Sequence, residues 1–213
     1  MSYNRRSVKV VTSTDDPIWT IAEIKDLLRV TGADDDAKLE GYVVAATEAI
    51  KQRTRQALRT ETLRLTLDGF SDDQSHKRLM ALGGGTHDLP VSEVFGNPGT
   101  VELPFGPVES ITSVVTYDRA NTASTLTSAA YGLEDTRIYL NDGYTWPSDL
   151  RRIGGVEITY VAGFGSASVP RPIVEAIGLY VEQLYEGCAG MTDQIEGLLG
   201  GYLRMDGLSF GAM

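Results

Sequence analysis

Cysteine, histidine and aromatic residues are scarce in this chain. Of its 213 residues, one is cysteine (Cys188), two are histidine and 8% are aromatic. A single cysteine excludes an intrachain disulfide and a cluster of thiolate metal ligands, so Cys188 is interpreted as a buried or incidental thiol. Two histidines cannot build a zinc site by themselves. The sequence therefore predicts neither a metal site nor a bound cofactor.

Long apolar segments are also missing. No run approaches the roughly 20 residues that a membrane-spanning helix needs. The N-terminal segment has Arg5 and Arg6, followed by apolar residues that Lys9 interrupts, so it lacks the apolar core of a signal peptide. We therefore expect a soluble protein that is synthesised and assembled in the cytosol without contact with a membrane.

Basic residues are outnumbered by acidic ones. The chain has 19 Lys and Arg against 29 Asp and Glu, which gives a formal net charge of −10 at pH 7. Binding DNA or RNA through phosphates needs clustered basic residues, so this balance argues against a protein that wraps nucleic acid. A wall past which DNA slides would be expected to carry negative charge, because like charges repel. Solubility alone is the simpler explanation.

Helical hydrophobic periodicity occurs first near the N-terminus. Thr20 and Glu23 form a capping-box pattern that opens a short helix. Asp34 to Asp36 begin a second helix over roughly 36–59, since carboxylates are stabilised at a helix N-terminus. A calcium site is the alternative, but no further ligand follows at calcium-loop spacing. This helix ends in basic residues that complement its C-terminus and face solvent, or else contact a phosphate or a neighbouring subunit: Lys51, Arg53, Arg55 and Arg59.

The middle of the chain has the alternating pattern of β-strands. Leu63, Leu65 and Leu67 alternate with polar residues, which predicts a half-buried strand. A long irregular loop follows at about 70–97, and loops of this length are either functional or disordered until a partner binds. Turn residues separate further candidate strands at 101–104, 111–117, 137–140 and 155–161.

Helical periodicity returns after Pro170 and Pro172. A helix is predicted from there to about Glu186, followed by a short final helix that Gly200-Gly201 ends. The last residues place apolar side chains among glycines without a helical period: Leu208, Phe210 and Met213. Because such a tail cannot bury these side chains alone, it is a candidate for docking into a neighbouring protein.

Signatures of catalysis are weak. The segment 83–87 has the glycine content of a phosphate-binding loop but lacks its lysine. The segment 163–166 resembles a nucleophile elbow, but its glycines do not flank the serine as that turn requires. Paired carboxylates such as Glu134 and Asp135 have no feature that distinguishes them from surface charge. We predict that the protein is not an enzyme.

One ordered set of segments runs through most of the chain: Ile21 to Val30 with Asp34-Asp35-Asp36 and the long second helix, Leu103 to Val108 with Ile111 and Val114, Tyr131-Gly132-Leu133, Trp146-Pro147, Tyr160 to Gly165, and Pro170 to Glu186. In this order the segments resemble the head-tail connector (adaptor) proteins of tailed phages and of phage-derived gene transfer agents. The resemblance covers roughly residues 20–203, and it depends on the order of the segments and not on any one of them.

The resemblance implies a non-enzymatic subunit of a ring, usually of twelve copies, at the head-tail interface of the virion. Such a ring lies under the portal protein, binds a stopper or tail-completion protein on its other face, and lets DNA pass through its centre without sequence-specific binding. The candidate portal-binding residues are Leu198, Leu199, Tyr202, Leu203, Leu208 and Phe210. The candidate contacts to a neighbouring subunit or the stopper are His76, Leu79, Met80 and His87. Packing of the first set onto the protein's own helices, and disorder of the second, are the alternatives.

The predicted fold class is α+β, with a small helical bundle formed by N- and C-terminal helices and a β-rich insertion in the middle. The expected division is 1–60 for the N-terminal helical part, 61–165 for the insertion, 166–205 for the C-terminal helical part and 206–213 for the tail. Two other functions fit the composition. One is a cytosolic binding module for a peptide or small ligand, and the other is an acidic mimic of DNA.

Overall fold

A computed structural model describes residues 6–14, 17–70, 100–165, 169–188 and 190–203. The chain folds into two compact units, each built from two segments. The sheet unit comprises Met1–Ser13 and Glu61–Ala162, and the helical unit comprises Thr14–Thr60 and Gly163–Met213. The mixed α+β class predicted from the sequence is confirmed.

The sheet unit contains two antiparallel sheets. In chain order its described strands are β1 (Arg6–Ser13), β2 (Glu61–Leu67), β3 (Thr100–Glu102), β4 (Val108–Tyr117), β5 (Ala123–Thr125), β6 (Tyr131–Glu134), β7 (Arg137–Leu140) and β8 (Val156–Ala162). The larger sheet has the order β1-β2-β8-β4-β5, and the smaller has the order β3-β7-β6. Within these residues β2, β8 and β4 form the middle of the larger sheet.

The alternation in β2 has the predicted consequence. Leu63, Leu65 and Leu67 are buried, while Arg64 between them is exposed. The paired strand β8 shows the same pattern, with Ile158 and Tyr160 fully buried on the shared face. One face of the larger sheet therefore supplies the core of this unit, as period-two patterning requires.

The N-terminal strand corrects the expected division of the chain. Residues 1–60 were assigned to the helical part, but β1 pairs with β2 over its whole length, from Arg6 opposite Leu67 to Ser13 opposite Glu61. The segment alternates weakly because both of its faces are largely exposed. The short strands β5 and β6 were also not predicted. The loop at about 70–97 lies almost entirely outside the described residues.

A cluster of polar contacts holds the segment that leads into β8. The Arg151 guanidinium donates to the Gly154 carbonyl from Nε at 2.9 Å and Nη2 at 2.7 Å, and it lies 4.0 Å from the centre of the Tyr117 ring. The Gly154 amide donates to Asp68 Oδ1 at 2.9 Å. These contacts fix a surface turn on which Ile153 is strongly exposed.

The helical unit contains four described helices: α1 (Ile21–Leu28), α2 (Asp36–Thr54), α3 (Arg171–Tyr185) and α4 (Asp193–Leu199). Their apolar faces form one core, to which both segments of this unit contribute: Ile24, Leu39, Val43, Ala46, Ile50, Leu58, Ile173, Ala176, Ile177, Val181, Ile195 and Leu199. Trp19 packs against this core and donates from its indole Nε1 to the Val174 carbonyl at 2.8 Å. No helix in the described part of the chain is long and apolar enough to cross a membrane.

The starts of the first two helices differ in their caps. The predicted capping box at α1 is confirmed: Glu23 N donates to Thr20 Oγ1 at 3.3 Å, and Thr20 N donates to Glu23 Oε2 at 2.8 Å. The α2 terminus has Asp35 at the cap position without a side-chain capping bond. Asp35 instead accepts from the Tyr185 hydroxyl at 3.2 Å, and Asp36 pairs with Lys25 at 2.6 Å. The acidic run therefore ties α2 to its neighbours.

The second helix is shorter than predicted. It ends at Thr54, because Arg55 takes the left-handed conformation with φ of 53°. The chain then turns so that Ala57 and Leu58 are buried. Gly163 packs directly against the backbone of this turn. A Cβ at this position would collide with the Arg59 carbonyl, and the φ of Gly163 is +123°. Glycine is therefore required at this first residue of the returning segment.

Candidate partner-binding surface at the C-terminal end

The C-terminal candidates lie on one short structural feature, which we call the C-terminal platform. It consists of α4, the 3-10 turn Gly200–Tyr202 and Leu203. The predicted interruption at Gly200-Gly201 corresponds to the change from α-helix to this turn. Ile195 and Leu199 are fully buried on the inner side of the platform.

An ion pair connects the platform to the end of α2. Arg53 donates from Nε to Glu196 Oε1 at 2.9 Å and from Nη2 to Oε2 at 2.7 Å. This hydrogen bonding lowers the pKa of Glu196 and raises the pKa of Arg53. Because both side chains are partly exposed, the pair contributes on the order of 1 kcal/mol or less to stability. The main effect of the pair is geometric, because its two parallel hydrogen bonds fix the orientation of the platform.

Two further hydrogen bonds hold the platform at its ends. Gln183 of α3 donates to the Thr192 hydroxyl at 2.8 Å, immediately before α4. Gln56 donates to the Tyr202 carbonyl at 3.5 Å, at the turn that follows α4. The platform is thus attached to both α2 and α3, and the chain beyond Leu203 starts from a fixed point.

The basic residues at the end of α2 have structural uses. Arg53 binds Glu196, and Lys51 is largely buried with its ammonium group 3.9 Å from Glu48. Arg59 Nε is buried without a hydrogen-bond partner in the described residues. Arg53 and Arg55 are exposed, as expected for a solvated helix end, whereas Lys51 is buried against the unit.

The platform separates the predicted portal-binding residues into three groups. Leu199 is fully buried in the helical core and is therefore covered by its own chain. Leu198, Tyr202 and Leu203 are partly buried at the edge of that core. Leu208 and Phe210 lie outside the described residues, as do all four loop candidates: His76, Leu79, Met80 and His87.

Other exposed apolar side chains escaped the sequence analysis. Val10 of β1 is 51% exposed, Val44 of α2 is 65% exposed, and Ile153 is 73% exposed. The alternation of Val8 and Val10 with Ser7 and Lys9 was the available signal for β1. Val44 and Ile153 carried no such signal, since their exposure depends on tertiary packing.

No group of three or more His, Cys, Asp or Glu in the described ranges could hold a metal ion. Cys188 is exposed, which excludes the buried alternative of the two predicted for this thiol. Half-buried apolar side chains such as those of the platform stabilise a complex when a partner covers them. Full burial of one exposed apolar side chain is favourable by up to about 1.5 to 3 kcal/mol.

A model of the phage gp6-like head-tail connector proteins matches residues 18–145, which is more than half of the chain. The chain belongs to this head-tail connector family. The match includes α1, α2 and the strands from β2 to β7. Members of this family are structural proteins and not enzymes, which confirms both the resemblance read from the sequence and the prediction that the chain lacks catalytic activity.

Solved structures extend the similarity to 96% of this connector. A chain in the neck of an empty gene transfer agent particle, computed with C6 symmetry, is 26% identical with a TM-score of 0.70. A chain in the neck of a native particle computed with C12 symmetry is 25% identical with a TM-score of 0.68. A chain in the virion of a native gene transfer agent is 25% identical with a TM-score of 0.67. Each alignment covers 96% of this chain and 98% of the other. A search of curated proteins finds no match.

Proposed function

We propose that this connector forms a ring of twelve copies in the neck of a gene transfer agent or phage-like particle. The ring joins the portal protein to a stopper or tail-completion protein, and DNA passes through its centre. The observation that carries this proposal is the similarity over 96% of the chain to a protein in a particle neck computed with C12 symmetry.

The physical properties of the chain support a ring that DNA traverses. A ring needs two different surfaces on each subunit, one for each neighbour. Each copy carries a net charge of −10, so an assembled ring repels DNA from its surface and favours passage over adsorption. The same charge opposes association of free subunits. We expect the isolated protein to be monomeric until the portal organises it, and native mass spectrometry showing a stable isolated ring would contradict this expectation.

The C-terminal platform is proposed as the base of the portal contact. Leu198, Tyr202 and Leu203 provide apolar surface at its edge, and the tail continues from there through Leu208 and Phe210. Leu199 has a supporting role, since its burial in the helical core keeps the platform in place. The loop with His76, Leu79, Met80 and His87 is proposed to contact a neighbouring subunit or the stopper, on the sequence argument alone.

Electron microscopy of purified portal particles mixed with this protein tests the proposed function. We expect an added twelvefold ring at the narrow end of the portal. Density at no fixed position, or a ring of another copy number, would overturn the corresponding part of the proposal. Particles purified from the producing cells must also contain the protein in multiple copies.

Paired variants test the portal contact separately. Replacing Leu198 and Leu203 by Asp puts charge on two half-buried side chains at the platform edge and is expected to abolish portal binding. The matched control, Ile153→Asp, changes a more exposed apolar residue on the sheet unit and should leave portal binding unchanged. Equal portal binding by both variants would exclude the platform as the contact.

A further inference from the structure

Among the residues that the structure describes, the larger sheet has two incomplete edges. β1 is the last strand on one side of this sheet in the described residues. On the other side, β5 pairs with β4 only from Val115 to Tyr117. β4 pairs with β8 on one side. On its other side, residues 108–113 have no neighbouring strand among the described residues. Open edges of this kind offer backbone donors and acceptors to another strand.

The two edges run in opposite directions. β1 is antiparallel to β2, β2 is antiparallel to β8, and β8 is antiparallel to β4. Three reversals make β1 and β4 antiparallel to each other. Twelvefold symmetry rotates each copy by only about 30° relative to the next, which is too little to reverse a strand. A β1 strand beside the β4 strand of the next copy would continue the antiparallel order of the sheet.

The register places matching apolar residues at the two edges. One row across the sheet runs from Val10 on β1 through Leu63 and Tyr160 to Ile111 on β4. Residues in one row share a face, and here that is the face on which Leu63 and Tyr160 are buried. Val10 is half exposed and Ile111 is partly exposed, and in the described residues the row ends at each of them.

The edges also differ in charge and regularity. β1 contains Arg6 and Lys9 without an acidic residue, although the whole chain is strongly acidic. The open part of β4 contains Glu109 without a basic residue. Both edges have irregular register, between Val10 and Thr12 on β1 and at two points on β4. Such bulges limit indiscriminate pairing of an edge strand.

We propose that β1 of one copy pairs with residues 108–113 of β4 in the next copy, which joins the larger sheets of neighbouring subunits into one continuous belt. This inference rests on the proposed ring. It commits to a second copy of this chain as the partner. The pairing brings Val10 and Ile111 together and covers both with apolar surface. It also supplies the two different surfaces that a closed ring requires.

Disulfide cross-linking in assembled particles tests the pairing. The variant carries Val10→Cys and Ile111→Cys, with Cys188→Ser to remove the native thiol. Within one copy the two positions are three strands apart, about 14 Å, which is too far for a disulfide. Oxidation is therefore expected to produce a ladder of covalent multimers on a non-reducing gel. The matched control, Val8→Cys with Ile111→Cys, is offset by two residues and should cross-link at least tenfold less.

A charge substitution provides the second test. Val10→Asp is expected to leave the monomer folded, because the side chain is half exposed, and to abolish ring formation on portal particles. Val44→Asp, at a more exposed valine of the helical unit, should leave the ring intact. Rings that form normally with Val10→Asp, or that contain no Val10–Ile111 cross-link, would overturn the strand pairing while the proposed function stands. Absence of any ring from unmodified particles would overturn both.

Discussion

Arg53 and Glu196 are 143 positions apart in the chain, yet they form a two-pronged ion pair with both hydrogen bonds shorter than 3.0 Å. The pair joins the C-terminal platform to α2. We expect Arg53→Ala and Glu196→Ala each to destabilise the protein, with a coupling of about 0.5 to 1 kcal/mol in a double-mutant cycle. Chemical denaturation of the four proteins measures this coupling. A coupling of zero would show that this ion pair does not stabilise the attachment of the platform.

The same pair predicts a pH dependence. Hydrogen bonding to Arg53 lowers the pKa of Glu196 in the folded protein. A carboxylate whose pKa is lowered on folding stabilises the folded state at pH values above its pKa in the unfolded chain, about 4.3. This contribution is lost as the pH falls through its pKa in the folded protein. The stability difference between wild type and Glu196→Gln should therefore shrink as the pH is lowered from 6 towards about 3. A difference that is constant over this range would contradict the assignment.

Gly178 and Gly41 predict opposite effects of the same substitution. A Cβ at Gly178 would lie 3.0 Å from the Trp19 ring and 3.3 Å from Leu27, whereas a Cβ at Gly41 has no neighbour within 4 Å. Both glycines are inside helices. Gly41→Ala should stabilise the protein by about 0.5 to 1 kcal/mol. Gly178→Ala should destabilise it by about 1 kcal/mol or more, because overpacking exceeds the gain in helix propensity. Thermal and denaturant unfolding of the two variants tests this difference in sign.

The Tyr160 hydroxyl is expected to contribute to the stability of the folded protein through its hydrogen bond. It donates to the Pro104 carbonyl at 2.5 Å, and the whole residue is buried. Tyr160→Phe leaves that carbonyl unpaired and should cost about 1 to 3 kcal/mol. Tyr117→Phe is the control, since its hydroxyl makes only a 3.4 Å contact to Glu157, and it should cost much less. Similar costs for the two variants would contradict the role of the Pro104 bond.

Tyr160 also predicts behaviour at high pH. Burial, with a smaller effect of the Glu61 charge, raises the pKa of Tyr160 far above its ordinary value of 10. A raised pKa contributes stability that is present below the unfolded value and is lost as the pH rises beyond about 10. The stability of wild type should fall more steeply above pH 10 than that of Tyr160→Phe. Ultraviolet titration should show one tyrosine that ionises only on unfolding.

The capping box at α1 allows a graded test. Thr20→Ala removes the hydroxyl that accepts from the Glu23 amide and should cost about 0.5 to 2 kcal/mol. Thr20→Ser keeps the hydroxyl, so its cost in stability should be only a small fraction of the cost of Thr20→Ala. Hydrogen bonds from Thr20 lower the pKa of Glu23, so Thr20→Ala should also raise this pKa in an NMR titration. An unchanged pKa would show that the backbone bond alone determines it.

Local patterns sufficed where one element determines its own structure. The capping box, the leucine alternation of β2 and the proline start of α3 could all be read from the sequence. The early end of α2 could not, because the left-handed turn at Arg55 is favoured by burial of Leu58 against distant helices. β1 escaped detection because its alternation is short, and an edge strand with both faces largely exposed carries only a weak pattern. The outcome for Leu199 depended on tertiary packing, since an apolar residue in a short helix fits a core and a docking surface equally well.

The pairing of β2 with β1 and β8 has a consequence for synthesis. β2 lies between a strand that ends at Ser13 and a strand that ends at Ala162, so its neighbours are distant in the chain on both sides. The helical core likewise waits for residues 171–199. Neither unit can therefore complete its core on the ribosome until most of the polypeptide has emerged. Because so many contacts join residues that are distant in the chain, we expect folding to be slow.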